Sequence, residues 1–268
     1  MNAKPIILTK KHAKRVLEVV DAGLCSGVGI PEPGNMCVEA AVCYALGLPH
    51  GDNPVCVGEA VRRYKITLND AAWPSNAARA EGLREIAIAQ LGSNEIDQKA
   101  FASGVVLRTI KVILPIALRA VASVIPGHKE ALEIAAVACE AAIDLVSAAS
   151  AAESAAWSAA SAAESAASAA WSAASAAESA ASAAKSAAWS AASAAESAAW
   201  SAASAASAAR SAAWSAASAA WSAEVRVSIL RKAADIGVEV LKELGCKGTK
   251  WLALTRESPS RALASHKK

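Results

Sequence analysis

An all-α fold is what this sequence predicts, and three observations predict it. The 268-residue chain has no glycine or proline between Gly127 and Gly237, and these two residue types are the usual helix breakers. From Ser147 to Ser222 it is written almost wholly in SAASAAE, SAAW and SAASAAK units, and alanine is the best helix former. Ahead of the repeat, apolar residues recur at helical spacing between Gly- and Pro-containing loops. The predicted architecture is a compact helical domain over 1–127, one very long helix over 128–244 with the low-complexity repeat at 147–223, and a short basic tail over 245–268. From His128 to Ile236 the helix would run roughly 160 Å at ~1.5 Å per residue, a shape for a rod or an assembly.

Each element has a local reason. TKKHAKRVLEVVD, residues 9–21, reads as an amphipathic helix capped by Thr9, with Val16, Leu17 and Val20 inward. Gly23 to Gly34 form a loop. Asn35 is positioned to cap a helix Met36–Leu46, which Gly47 and Pro49 stop. A helix over Val57–Tyr64 follows, then KITLNDAAW as a short strand or extended arm before Pro74. Ser75 or Asn76 caps a helix to Leu91, closed by Gly92. Another covers Ile96–Val124, with Gly104 and Pro115 as places to divide or kink it. The long helix opens after Pro126-Gly127 with amphipathic turns, EALEIAAVACEAAIDLV, expected to pack on the domain. Its far end carries an apolar face of Ile229, Leu230, Ala233, Ile236, Val240, Leu241 and Leu244, and Gly245 closes it. Trp251 and Leu252 are the anchors available to the tail.

Composition narrows the setting. Residues 1–146 hold 15 basic and 15 acidic side chains, whereas 224–268 hold 10 and 5, so the excess of positive charge sits in the tail. That tail reads as a solvated end, with nucleic-acid contact through it a lesser reading. The six cysteines, at 25, 37, 43, 56, 139 and 246, include no C-x2-C pair, so no metal or cofactor is expected. The first residues lack the apolar core of a secretory signal, which points to reduced thiols in a cytoplasmic compartment. Gly104 to Ile125 is apolar but interrupted by Arg108, Lys111, Pro115 and Arg119, a poor membrane span.

The repeat has three stripes. Serine recurs every three or four residues and stays on one line of a helix. Trp157, Trp171, Trp189, Trp200, Trp214 and Trp221 are 14, 18, 11, 14 and 7 apart, which holds all six within a sector of roughly 80°. Glu153, Glu164, Glu178, Glu196 and Lys185 share that sector, and the rest of the circumference is alanine. Small residues let helices approach closely. Each tryptophan can bury ~200 Å², so a strip of six exposed in water calls for a partner. The chain's own remainder is too short to cover it, so self-association into an oligomer or filament is the expected role. Against this stands a spacer, its repeat expanded by slippage, whose length would hardly matter.

Two resemblances follow from these residues. Alanine helices with 11-residue periods are similar to helical antifreeze proteins, whose flat Ala/Thr face meets ice; this repeat departs in its serine, its mixed period and its tryptophans. The block GNMCVEAAVCYALGLPHGDNPVCVGEAVRRYKITLND, with NAARAEGLREIAIAQLGS after it, resembles a recurrent segment of uncharacterised bacterial or phage proteins, which implies no activity.

The densest chemistry lies in that block. Cys37 near a helix N-terminus would have its thiolate favoured by the dipole, and His50 and Asp52 on the next loop complete a Cys–His–Asp set in principle. This is the alternative reading: a small thiol-dependent enzyme or regulatory domain with the helix as spacer. Cys37 and Cys43 read first as small core residues. Cys25, Cys37, Cys43, Cys56 and His50 form a weaker zinc set, and Arg62, Arg63 and Lys65 a helix-end surface. No P-loop, dinucleotide, zinc-protease or EF-hand pattern is present.

Overall fold

The computed structural model describes residues 6–124, 126–165 and 223–256. Among them the protein is all-helical: α1 (Lys10–Asp21), α2 (Val38–Leu46), α3 (Glu59–Asn69), α4 (Asn76–Ala89), α5 (Gln98–Arg108), α6 (Leu114–Val124), α7 (Lys129–Ala141), α8 (Leu145–Ser165) and α9 (Ala223–Glu243). A 3-10 helix, Lys247–Arg256, follows α9.

The caps explain where the first helices start. Thr9 accepts from the His12 amide at α1, and Ser75 accepts from Ala78 at α4, each meeting an N–H that the helix leaves free. Val16, Leu17 and Val20 are buried as expected. α2 starts two residues later than expected and is capped by the Cys37 thiol, which accepts from Ala40 N. Residues 35 and 36 are engaged elsewhere: Ile30 N donates to Asn35 O at 2.8 Å and Cys25 N to Met36 O at 2.9 Å. This pairing folds 23–36 into a tight hairpin-like loop. Gly29 within it has φ +70°, and a Cβ there would lie 2.0 Å from Asn35 O, so only glycine fits.

KITLN is not a strand. It continues α3, because Tyr64, Lys65, Leu68 and Asn69 form the buried face of that helix, and burial outweighs the weak helix propensity of Ile66 and Thr67. The run from Gln98 to Val124 is continuous but passes through a π-helical turn at Thr109–Ile113. Pro115 has no N–H and its ring crowds the carbonyl four residues back; a π turn just before it accommodates both defects. Gln98–Ser123 has the length and composition to cross a bilayer, with mean hydropathy 1.8, yet much of it is buried within the fold.

The expected single helix over 128–244 is corrected at its beginning. α7 ends at Ala141, Ala142 takes φ −58° and ψ 130°, and α8 starts afresh at Leu145. Asp144 and Ser147 make a reciprocal cap: Asp144 Oδ1 accepts from Ser147 N at 2.7 Å, and Ser147 Oγ accepts from Asp144 N at 3.1 Å. Such a box offers the backbone an alternative to continuing the helix. The break lets α6, α7 and α8 pack as successive neighbours. No helical run among the described residues is longer than Gln98–Val124, where α5, the π turn and α6 follow one another. Residues 166–222, with the rest of the repeat, lie outside the described residues, as do 257–268 of the tail.

The two ends of the repeat attach to one body. Ala148, Ala152 and Ala155 of α8 are buried beside α7. α9 packs mainly on α4 and also on α3, α5 and the π turn, burying Ile229, Leu230, Ala233, Ile236, Val240 and Leu241. At Gly237 a Cβ would meet Ile86 Cδ1 at 2.6 Å and Tyr64 Cε1 at 2.8 Å, so glycine sets how closely α9 approaches α3 and α4. Tyr64 Oη donates to Ala233 O across this contact. Gly245, at φ +67°, ends α9: Cys246 N donates to Leu241 O at 2.9 Å, a Schellman pattern. Trp251 and Leu254 then bury in the same core.

Candidate thiol–carboxylate cleft

A small cleft of ≈ 50 Å³ opens where the N-terminus of α2 meets the C-terminal half of α3 under the 23–36 loop; Cys37, Glu39, Asp52, Asn69 and Asp70 are among its lining residues. The end of α3 holds these pieces together. Asn69 Oδ1 accepts from Val38 N at 3.1 Å, and its Nδ2 donates to Cys25 O at 2.9 Å and to Asp70 Oδ1 at 2.9 Å. Asp70 Oδ1 also accepts from Gly27 N at 2.7 Å. Arg79 braces the arrangement from α4, donating to Asn69 O at 2.7 Å and Leu24 O at 3.0 Å. Backbone groups that neither helix could pair are thus satisfied by two adjacent side chains.

Beneath the cleft lies a buried ion pair. Glu39 Oε1 and Lys65 Nζ are 3.1 Å apart, with both side chains 0% exposed. Beyond this contact, neither carboxylate oxygen nor the ammonium has a hydrogen-bond partner among the described residues. Desolvation pushes the Glu39 carboxyl above its ordinary range, and Lys65 opposes that. Desolvation also lowers the Lys65 ammonium, opposed by Glu39. The two groups are therefore drawn toward sharing a proton. Arg62, 3.8 Å from Asp52 on the rim, is the next cation.

The thiols respond to burial more than to the helix dipole. Cys37 accepts from Ala40 N at 3.3 Å, the favourable placement expected of a helix N-terminus. Even so, burial pushes its thiol up to about 11, against the opposing pull of the Ala40 and Glu39 amides. Desolvation likewise raises Cys43 to about 12 and Cys56 to about 11. At neutral pH all three are thiols at rest.

The predicted site residues are distributed unevenly. Cys37 and Asp52 share the cleft. His50 Nε2 instead contacts Gly29 O at 3.0 Å and pins the loop; no hydrogen bond joins Cys37, His50 and Asp52 among the described residues. Lys65 leaves the surface cluster assigned to it and pairs with Glu39, whereas Arg63 pairs with Glu59 one turn away on α3. Among the described residues no group of three or more His, Cys, Asp or Glu stands ready to hold a metal. Trp157 falls on α8, and Trp171, Trp189, Trp200, Trp214 and Trp221 lie outside the described residues. Sequence reasoning missed Glu39, Lys65 and Asn69 as a set. The available signal was a lone acid in the apolar run MCVEAAVCYAL, which needs a buried partner if that helix is core. Comparison of the chain with protein-family models, curated proteins and solved structures finds no match.

Proposed function

We propose that the chain is a structural protein of a cytoplasmic compartment that associates with copies of itself through the tryptophan sector of its repeat. The observation carrying this reading is the orientation of α8. Its buried stripe is Ala148, Ala152 and Ala155, whereas Val146 is 74% exposed. Val146 precedes Trp157 by three turns, so a helix places both positions within about 20° of each other. The sector that the repeat fills with tryptophan and glutamate thus begins on the side of α8 turned away from its own domain. Ile134 (65% exposed), Val137 (51%) and Ile143 (82%) are further exposed aliphatic side chains, on α7 and the connecting turn, and on the proposed reading they would join the contact surface.

On this reading the repeat continues as helix beyond Ser165, its alanine side gives close helix packing, and its tryptophans meet the same sector of another copy. Glu and Lys within the sector set register between neighbours. Changing Trp171, Trp189 and Trp200 together to Ala is expected to weaken the oligomer sharply in sedimentation velocity at unchanged helix content. Each anchor lost would contribute roughly 2–4 kcal/mol, and alanine does not lower helix propensity. A triple variant that sediments like the parent would instead leave the repeat as a spacer.

A further inference from the structure

We propose that the outer face of α1 is a docking surface for the phosphate backbone of duplex nucleic acid, bound without regard to base sequence. Lys10, Lys11, Lys14 and Arg15 are all exposed on the first turns of this helix. At 100° per residue they share a sector of roughly 140°, opposite the buried Ala13, Val16 and Val20. None of the four has an ion-pair partner among the described residues; Arg15 lies over the Tyr44 ring, 6.0 Å from its centroid. Glu18 is the exposed acid of α1, and Asp21 at its end is engaged by Arg84. The arrangement works against the helix itself. Lys10 with Lys14 and Lys11 with Arg15 are like charges four apart, which repel on a helix surface. Cations in a first turn also oppose the helix dipole, and α1 has no acid in that turn. A helix serving only the fold would gain from acids there, so the reversed pattern marks a demand from outside the fold.

A second element adds to the positive field. The 3-10 helix Lys247–Arg256 packs against α1 and runs beside it in the same direction. At one end a Cβ on Gly92 would meet both Leu8 Cδ1 at 3.4 Å and Lys247 Cβ at 3.0 Å, so the two starts lie together. At the other end Arg84 donates to Asp21 Oδ1 at 2.6 Å and to the Thr255 carbonyl, so the two ends do. Lys250 and Arg256 are exposed on this element without an acidic partner among the described residues, whereas Lys247 pairs with Glu95. Cations without an acid thus stand on two neighbouring elements held side by side.

The chemistry of the face selects the partner. Lysine meets a phosphate as a point charge, and neutralising phosphates releases their counterions, which supplies affinity independent of sequence. Such contacts fix a backbone in place without reading base edges. α1 contains no Phe, Tyr or Trp on which an unpaired base could stack, which favours a duplex over a single strand. A bilayer would need apolar anchors beside the cations, and Val16, Leu17 and Val20 are committed to the core. Ile7, 81% exposed, is a single anchor where stable attachment takes more. The face shares no residue with the tryptophan sector, so it stands or falls independently of self-association.

The test is fluorescence anisotropy of short labelled DNA duplexes of unrelated sequence, titrated with the full chain. The parent should bind them alike. With four phosphates neutralised, affinity should fall about 10²-fold between about 50 and 200 mM salt. The triple variant Lys10→Gln, Lys11→Gln, Lys14→Gln should bind roughly 10²-fold more weakly at the lower salt and lose about 3 from the log–log salt slope. Glutamine matches lysine in helix propensity, and the repelling pairs are gone, so its thermal midpoint should equal or exceed the parent's. A control, Lys99→Gln, Lys129→Gln, Lys232→Gln, removes the same charge from exposed positions elsewhere and should bind like the parent. Absence of duplex binding by the parent at the lower salt would overturn the proposal. So would parent-like binding by the α1 variant, or an equal loss in the control. Binding to phosphatidylserine vesicles without binding to duplex would give the face to a membrane and overturn it as well.

Discussion

α8 and α9 flank the same repeat and pack on the same body, but they are held by different means. α9 inserts Ile229, Leu230, Ile236, Val240 and Leu241 into the core, whereas the fully buried positions of the first turns of α8 are alanines, Ala148, Ala152 and Ala155, with Leu145 partly buried beside them. A buried Leu or Ile side chain contributes about 1.5–3 kcal/mol, and a methyl about 0.8 kcal/mol. α9 is therefore an integral core helix, and α8 is a close-fitting but lightly bound one. Regions with few large buried contacts open at lower free energy than the whole fold. On the proposed self-association, such an attachment would leave the tryptophan sector of the repeat for other copies.

The largest test of that contrast is in α9. Leu241 is 0% exposed, so Leu241→Ala should cost about 2–5 kcal/mol of global stability. Denaturant midpoints should fall for the whole domain, and amides of α3, α4 and α9 should lose protection together. A loss confined to α9 would contradict its place in the common core.

A smaller effect is expected at the turn before α8. Asp144 caps α8 through Ser147 N and Ser147 Oγ, and its carboxyl is held below the ordinary range chiefly by these bonds. Asp144→Ala should cost about 1 kcal/mol, read as faster hydrogen exchange over 145–155 with α9 unaffected. Equal loosening of α8 and α9 would erase the distinction between them.

How legible each part was follows from how local its cause is. α1, α4 and α9 could be read from apolar spacing with Thr9, Ser75 and Gly245 as their ends, since caps and αL glycines act within a few residues. The break between α7 and α8 hides inside an alanine-rich run: Asp144 and Ser147 form a box only once Ala142 leaves the helix. Lys65–Asn69 carry β-branched neighbours, and only their burial against α2 and the 23–36 loop keeps them helical. Glu39 shows in the sequence only as a lone acid in an apolar run. Its pairing with Lys65, 26 positions on, depends on how α2 and α3 cross. His50 was read as a partner for sulfur because residue type is visible in sequence, while its actual partner, the Gly29 carbonyl, carries no residue signature.

The most direct measurement of the central claim, that one face of the repeat joins copies together, is sedimentation velocity on two deletions. Removing Ser172 to Trp189 keeps the downstream tryptophans in phase, because 18 residues make about five whole turns. Removing Ala183 and Ala184 rotates everything after them by about 200°. The in-phase deletion should still assemble, and the two-residue deletion should fail to do so at equal helix content. Assembly of both to the same extent would contradict the claim, since a face cannot be the contact if turning half of it away changes nothing.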